Sequence, residues 1–457
     1  MPASLGNDSY ILAAEQTAPL VKAPWGLFKN RQYQFVSGGI GLTAESAVPV
    51  VNRGTFAPVS SVVQQAGSDG SLVILQDTTG MGLPLKYLML AQPVSTQILS
   101  TPYQLFAPAA FTDGTAIPAS SFVADRQPRE HIPTLTGSAE GINCGILVFE
   151  PVPAVTAGDN ATITIVGKDQ GIKRPLREVI SVAAGSSISA IRSTKAFAEV
   201  TTVTLDGFTT AGNIEIKVDP GVYKHVFTVG NELLPGLTLE MVKGRTPNVY
   251  QDVHISEGTF TLGDSNQYDL TLIGGEAFYG ENAENGGPAR SSTTGKTRQL
   301  GRSAPGWATI LRINDRKFRI GSGSISINHS LGADENTWDR DVYRQPPLQT
   351  SSRIVTLSTQ VSFPMTDTAG NEMRIMDIAW GETVSATLSA ASMRLGALHN
   401  SVLFEIPTGQ VTPFPDPADI GQGQINLPLE ITAFAEGTEP DIRLTVFNSE
   451  SGSNFMG

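Results

Sequence analysis

RKFRIGSGSISINHSL, residues 316–331, alternates between polar and apolar residues over most of its length. A period of two predicts a β-strand whose two faces meet different surroundings. The apolar side consists of Gly321, Gly323, Ile325, Ile327 and Leu331. The polar side consists of Ser322, Ser324, Ser326, Asn328 and Ser330. An ordinary solvated face would be expected to hold Lys or Glu, so the sequence raises the question of what this uncharged face meets.

A second copy of this strand lies near the N-terminus. Setting Arg31 on Arg316 aligns RQYQFVSGGIGLT (31–43) with RKFRIGSGSISIN (316–328) without a gap. In both parts of the chain, further strands and one short helical stretch follow, GLPLKYLMLA (82–91) in the first and NEMRIMDIAWG (371–381) in the second. Because similar elements recur in the same order, we predict a duplicated β-rich domain.

The first copy is interrupted by a stretch of different texture. From 133 to 218 short predicted strands follow one another quickly, separated by turn signals such as GDN, AAGSS and DG, which is typical of a small antiparallel sandwich. Residues 92–132, rich in Pro, Ala and Ser, are predicted to be a connection. The predicted division is a first copy at 1–132 plus 219–280, an inserted β-sandwich at 133–218, a linker at 281–306 and a second copy at 307–457.

Composition predicts a mainly β protein with an acidic surface. The 457 residues include 46 Gly and 29 Pro, as expected for strands joined by tight turns, and only 16% of them are charged. A net charge of −12 argues against a protein that grips nucleic acid through its phosphates, although DNA could still slide past it. The single cysteine, Cys144, excludes an intramolecular disulfide framework and fits assembly in a reducing cytoplasm. No apolar run is long enough to predict a membrane span.

Three short motifs for nucleotides or metals are incomplete. GIGLTA (39–44) has the outline of a dinucleotide fingerprint, but Pro49 and β-branched residues follow where a helix has to begin. GKT (295–297) lacks the first glycine of a phosphate loop, because that position is Arg290. The acidic DENTWDRD (334–341) lacks the turn glycine of a calcium loop. We interpret them as a glycine-relaxed strand and two solvated loops.

No set of residues predicts an enzyme active site, a metal site or a cofactor. The histidines are scattered without an i, i+4 pair: His131, His225, His254, His329 and His399. Glu240, Asp252 and Glu257 lie among predicted strands without a recognisable partner, although a β-rich glycosidase could hide two carboxylates that meet only in space. Cationic contacts to an acidic neighbour are predicted for four linker residues, Arg290, Lys296, Arg298 and Arg302.

Several segments resemble the bacteriophage tail tube proteins, also called major tail proteins. They are ILAAEQTAP (11–19), GSLVILQDTTGMGLPLKYLMLA (70–91), VFTVGNELLPGLTLEMVKGRTPNVYQDVHISEGTFTL (226–262) and DRKFRIGSGSISINHSL (315–331). The stretch from Leu176 to Asp219 is similar to a small immunoglobulin-like β domain often found in phage virion proteins. The resemblance implies two tail-tube-like β-sandwich or barrel domains, each with a short helix, and a small inserted β-sandwich that projects outward.

The resemblance also implies a function and partners. The chain would be a virion structural protein, assembled in the host cytoplasm, whose rings stack with other tail proteins into a hollow conduit for genome delivery. Two tube-like halves favour a trimeric ring with six similar positions, with a hexamer as the alternative. DNA would pass without specific binding, and no membrane would be involved.

The resemblance assigns places to both candidate sets of residues. The Ser and Asn side chains from Ser322 to Ser330 would face a neighbouring subunit or the lumen, where a charge is costly or adhesive. The cationic linker residues would lie between rings. Two other classes remain open: a β-rich carbohydrate-binding or glycan-hydrolysing phage tail protein, and a capsid-decorating or adhesin-like protein.

Overall fold

A computed structural model shows a mainly β protein, which confirms the predicted fold class at that level. It describes residues 10–18, 31–33, 35–47, 62–75, 79–98, 101–123, 125–128, 144–152, 155–169, 174–185, 187–188, 190–208, 212–243, 246–262, 266–279, 297–298, 309–314, 316–318, 320–332, 347–362, 383–391, 400–411 and 426–456. The helix predicted at 371–381 and the acidic stretch 334–341 lie outside these residues.

The first part of the chain forms strands and one short helix. Its elements are β1 (Tyr10–Glu15), β2 (Arg31–Gln32), β3 (Phe35–Ala47), β4 (Val62–Leu75), α1 (Gly82–Met89) and β5 (Val94–Gln97). Helix α1 confirms the helix predicted at 82–91. It buries Leu83, Leu85 and Leu88 in the main core and ends at Met89, because the next residue, Leu90, has a φ of 50° that stops the helical hydrogen bonding.

The next strands form two small sheets around a hydrophobic core of their own. They are β6 (Tyr103–Ala110), β7 (Ala116–Pro118), β8 (Gly145–Val152), β9 (Val155–Lys168), β10 (Pro175–Ser181), β11 (Ser187–Ile188), β12 (Ile191–Phe197), β13 (Glu199–Phe208) and β14 (Asn213–Asp219). A single 3-10 turn, Ala119–Ser121, follows β7. One sheet has the order β10-β9-β13-β7 with β11 beside β9, and the other has the order β12-β8-β14-β6.

The prediction that residues 92–132 only connect other elements is wrong. They contain β5, β6 and β7, and Leu105 and Ile117 are buried in the second core. Their prolines concealed the strands. Among the described residues β6 pairs only with β14 and β7 only with β13, so both are edge strands, where a missing N–H is tolerated.

The chain then returns to the main sheet. The strands that follow are β15 (Tyr223–Thr228), β16 (Leu237–Lys243), β17 (Thr246–Leu262), β18 (Gln267–Gly274) and β19 (Ala277–Tyr279). The remaining elements are β20 (Thr297–Arg298), β21 (Thr309–Ile313), β22 (Arg316–Phe318), β23 (Ile320–Asn328), β24 (Leu331–Gly332), β25 (Leu348–Gln349), β26 (Ile354–Ser362), β27 (Thr383–Ala391), β28 (Ser401–Val411), β29 (Asn426–Ala433), β30 (Arg443–Asn448) and the helical turn α2 (Gly452–Phe455).

The two parts of the chain that align in sequence share one strand order. In the first part, antiparallel pairs follow the path β1-β16-β17-β18-β4-β3. In the second part, antiparallel pairs follow the path β21-β27-β28-β29-β26-β23. β19 also pairs with β17 as β30 pairs with β28. Matching paths over so many strands support the predicted duplication.

Local irregularities recur at corresponding places. The β3–β4 ladder shifts register between Phe35 and Ser37, and the β23–β26 ladder shifts between Ile320 and Ser322, which is the same step in the sequence alignment. The extra residue reverses the alternation there, so Ile320 packs against the core although Ser322 lies on the polar face. A bulge kept in both copies indicates that they share their backbone geometry as well as their strand order.

Strand β17 joins the two copies into one sheet. Its first half pairs with β16 and β19, whereas its second half lies between β18 and β23. The register shift between Ile255 and Glu257 marks the change. Leu88 of α1 packs directly on this strand at Gly258. The contact is so close that a Cβ added to Gly258 would lie 2.3 Å from Leu88 Cδ1. The helix therefore covers the apolar side of the joint.

Strand β3 offers a matched pair of glycines for testing this geometry. Gly38 has a φ of 105°, and a Cβ there would lie 2.1 Å from the Ser71 carbonyl oxygen, whereas a Cβ on Gly41 meets no atom within 4 Å. We expect Gly38→Ala to lower the free energy of unfolding by about 1–3 kcal/mol through backbone strain. Gly41→Ala should change it by less than about 0.5 kcal/mol. Equal urea-unfolding curves for the two variants would contradict the bulge geometry.

Candidate functional site

The predicted alternation of polar and apolar residues is present in β23 from Ser322 to Asn328. Ile325 and Ile327 are buried in the main core, Ser322 is exposed, and Ser324, Ser326 and Asn328 are half-buried on the opposite face. The polar residues of this strand therefore share one side of the sheet, and the core lies on the other.

Ser330 does not continue the strand, contrary to the alternation. It follows the end of β23 with a φ of 51°, and its backbone N–H donates a 2.7 Å hydrogen bond to Asn328 Oδ1. Its hydroxyl donates to the Ser352 carbonyl oxygen at 3.1 Å. An Asn side chain that binds the backbone two residues later makes a turn. Sequence alternation alone could not separate this turn from one more strand residue.

The polar face of β23 has a carboxylate beside it. Asn328 lies opposite Glu257 of β17. Ser326 Oγ donates a hydrogen bond to Glu257 Oε1 at 3.0 Å, and Asn328 Nδ2 approaches Oε2 at 3.5 Å. These partners of Glu257 could not be recognised in the sequence, because they lie on another strand. The uncharged strand supplies hydrogen-bond donors to a charge on the neighbouring strand.

The same polar face extends across the strands on both sides of β23. Directly opposite residues in an antiparallel sheet point to the same side, so the registers of β4, β18, β17, β23, β26 and β29 define this face. Besides the β23 residues, its polar members are Asp69, Ser71, Gln267, Asp269, Thr271, Glu257, Thr259, Thr261, Thr356, Ser358, Gln360, Glu430 and Thr432. We call this set, with Ser322, Ser324, Ser326 and Asn328, the polar sheet face.

Every charge on the polar sheet face is negative. Asp69, Glu257, Asp269 and Glu430 are its carboxylates, and it contains no lysine or arginine at the described positions. Asp269 accepts a 3.1 Å hydrogen bond from the Thr261 hydroxyl, the same arrangement of hydroxyl and carboxylate as Ser326 with Glu257. Such a surface repels a polyanion, and its hydroxyl, amide and carboxylate groups can form hydrogen bonds with water.

The cationic linker residues are not brought together by the described part of the chain. Arg298 lies in β20, whose backbone pairs in parallel with Arg31–Gln32. Arg290, Lys296 and Arg302 lie outside the described residues. Their contact with an acidic neighbour stays a prediction.

Each described histidine is buried at a separate place in the fold. His225 is stacked on Phe455, with ring centroids 4.0 Å apart, and its Nδ1 and Nε2 bond Ser95 Oγ at 2.7 Å and Asn448 Oδ1 at 3.0 Å. His329 Nε2 donates to the Leu88 carbonyl oxygen at 2.7 Å. Burial lowers the pKa of both. Within the described residues, no three or more His, Cys, Asp or Glu side chains are placed to hold a metal.

His254 should make the fold sensitive to acid. Burial lowers its pKa to about 4 from about 6.5 in an unfolded chain. The stability from keeping it neutral is present above pH 6.5 and is lost as the pH falls towards 4, by about 3 kcal/mol in total. We expect calorimetry to show a smaller acid destabilisation in His254→Gln, which cannot be protonated. Parallel stability curves for the two proteins would contradict this assignment.

An apolar cavity lies in the core of the first copy, beneath the start of α1. Its lining is hydrophobic apart from the Tyr33 ring, and it includes Ile11, Leu83, Leu239 and Leu272. A sugar or another polar substrate needs several convergent polar groups for orientation. This cavity therefore provides no argument for a carbohydrate site.

Comparison with known proteins leaves the family open. No protein-family model matches the chain, and no curated protein matches it. No helix in the described ranges is long and apolar enough to cross a membrane. The resemblance to tail tube proteins thus remains a prediction made from the residues.

Proposed function

We propose that the chain is the subunit of a phage tail tube, a virion protein whose rings stack into a hollow conduit for the genome. The observation that carries the proposal is the polar sheet face. It runs across both copies of a duplicated fold, contains carboxylates and hydroxyls but no cation at the described positions, and lies opposite the core and α1. A conduit wall needs such a surface on one side only.

The chemistry of the polar sheet face suits a lumen. DNA binds proteins mainly by releasing counterions when cations neutralise its phosphates. A wall whose described positions hold four carboxylates per chain and neither lysine nor arginine would release none there, so it would not hold a moving duplex. The overall charge of −12 points the same way.

The strand order favours a ring of three chains. In each chain β3, β4, β18, β17, β23, β26, β29 and β28 follow one another by antiparallel pairing. At a strand spacing of about 4.8 Å and a tilt of about 40°, three such sets would close a barrel roughly 50 Å across. Two equivalent halves per chain would give that trimer pseudo-sixfold symmetry, whereas six chains would make a much wider ring.

The rest of the chain has a place in the same proposal. The sheets with their own core, which include the predicted insert at 133–218, would project outward as a decoration. The copies predicted at 1–132 plus 219–280 and at 307–457 would form the wall, without residues 103–122, which belong to the sheets with their own core. Arg290, Lys296, Arg298 and Arg302 of the linker would contact the acidic surface of the next ring.

Electron microscopy of the purified protein tests the proposal directly. Negative-stain images at increasing concentration should show rings or tubes, and light scattering of the smallest ring should give three times the mass of the chain. A protein that stays monomeric at all concentrations, and that binds or hydrolyses glycans, would contradict the proposal and favour the carbohydrate alternative.

A further inference from the structure

The apolar cavity beneath the start of α1 is formed by six elements of the first copy. β1, β4, α1, β16, β17 and β18 all contribute side chains to its wall. Tyr33, which also lines the cavity, is held beside β1 by two backbone hydrogen bonds of 2.9 Å with Ile11. Because so many elements share the wall, the cavity is a property of the packed fold and not of one loop.

The chemistry of the cavity wall disfavours water. The cavity has a volume of about 40 Å³, about three times what one water molecule needs. Its wall is almost entirely apolar, so a water molecule inside would lose the hydrogen bonds that it makes in bulk solvent. The wall atoms lack van der Waals partners on the side of the cavity. An apolar guest of the right size would supply these contacts without losing any hydrogen bond.

We propose that this cavity is a binding site for one small apolar molecule of about three heavy atoms, without charge and without hydrogen-bonding groups. Short alkanes belong to this class of ligand, and a single xenon atom is its simplest probe. Benzene does not belong to it, because benzene binds in apolar cavities of about 150 Å³. The site goes beyond the proposed function and does not depend on it.

The start of α1 provides the route of entry. Pro84 of the first helical turn is half-buried, whereas the other residues that line the cavity are buried. The helix begins after Met81, whose side chain makes no capping hydrogen bond. A first turn without a side-chain cap opens more readily than the rest of a helix, because its N–H groups have fewer partners. Opening of this turn gives a small molecule access to the cavity beside Leu83.

A ligand in the cavity acts on the joint between the two copies. Leu83 lines the cavity, and Leu88 of the same helix packs on β17 at Gly258. A molecule that binds the folded protein and not the unfolded chain stabilises the fold by mass action. Occupancy of the cavity therefore holds α1 more firmly against the strand that joins the copies.

Ala13→Val provides a variant in which the cavity is filled. Ala13 lies opposite Leu239 in the β1–β16 ladder, and both residues line the cavity. The corresponding pair in the second copy is Ile313 opposite Ala386, because the ladders that follow shift register beside Leu239 and beside Ala386. The fold therefore accepts a branched side chain at this place, and a β-branched residue suits a strand. The two added methyl groups occupy the space that xenon needs.

Methyl NMR spectroscopy of the whole chain under xenon pressure tests the site. The methyl resonances of Leu83 and Leu239 should shift with xenon pressure and reach saturation. The separate core of the small sheets provides the internal control, since Ile163 and Ile165 are buried there. Their resonances should show only a small linear drift. In Ala13→Val the saturable shifts of the cavity resonances should be lost.

The results that would overturn the inference are distinct. Equal linear drifts in both cores would mean that the cavity takes no guest. Saturable shifts that persist unchanged in Ala13→Val would place xenon outside this cavity. Benzene that saturates the same resonances in the unchanged protein would contradict the stated size of the ligand. The comparison of the two cores in the unchanged protein decides the question even where the variant does not fold.

Discussion

Replacing Arg353 with methionine is expected to lower the free energy of unfolding by about 3–5 kcal/mol. The guanidinium binds Asp441 with two hydrogen bonds, Nε to Oδ2 at 2.7 Å and Nη2 to Oδ1 at 3.0 Å. The two side chains are only 11% and 9% exposed. Methionine fills much of the same space but leaves a buried carboxylate without its cation, and this desolvated charge accounts for most of the loss.

The position of Arg353 gives the loss a structural consequence. Its Nη1 also donates to the Gly230 carbonyl oxygen at 2.8 Å, and the Gly230 N–H donates to Met89 at the end of α1. Gly230 belongs to the first copy, whereas Arg353 and Asp441 belong to the second. One side chain therefore holds the loop after β15 and the end of α1 against the second half of the sheet.

Arg443→Met provides the control for this prediction. Arg443 pairs with Glu439 at 3.3 Å, but the two side chains are 33% and 56% exposed, so the loss should stay below about 1 kcal/mol. Calorimetric unfolding of the two variants and of the unchanged protein makes the comparison. If Arg353→Met unfolds at the same temperature as Arg443→Met, the buried pair does not hold the two copies together.

Sequence periodicity predicted those elements whose type is indicated by the local pattern of polar and apolar residues. β23 alternates cleanly between Ser322 and Asn328, and α1 has a run of leucines that a helix buries. The prediction of a duplication rests on the same kind of signal, because aligned strands keep their local pattern. β6 and β7 were missed, since prolines at an edge strand resemble those of a loop.

The candidate site was predicted only in part, because it is a property of register between strands. No local pattern places Glu257 against Ser326, or Asp269 and Glu430 on the same face, since these residues lie far apart in the chain. The β-bulge at Gly321 could not be predicted from the sequence either, because one extra residue in a strand hardly changes its composition. Polar residues on one strand could be predicted, but the acidic face that they share with other strands could not.

Placing cations on the polar sheet face should turn a surface that repels DNA into one that binds it. We expect Asp269→Lys combined with Glu430→Lys to leave the fold intact, because both side chains lie on the solvated side of the sheet. In a ring of three chains the six new lysines could contact about six phosphates. DNA affinity should then rise by about tenfold or more at low salt, with a slope near −5 in log affinity against log salt.

The control must change the net charge equally without touching the polar sheet face. Asp206 and Glu232 are exposed and lie on other surfaces, so Asp206→Lys with Glu232→Lys adds the same charge elsewhere. Fluorescence anisotropy with a short duplex between 50 and 200 mM salt compares the assembled variants. If only the face variant gains salt-dependent affinity, then the acidity of that face is what keeps DNA from adhering. If both variants gain it equally, the effect comes from net charge, and the polar sheet face has no special role towards DNA.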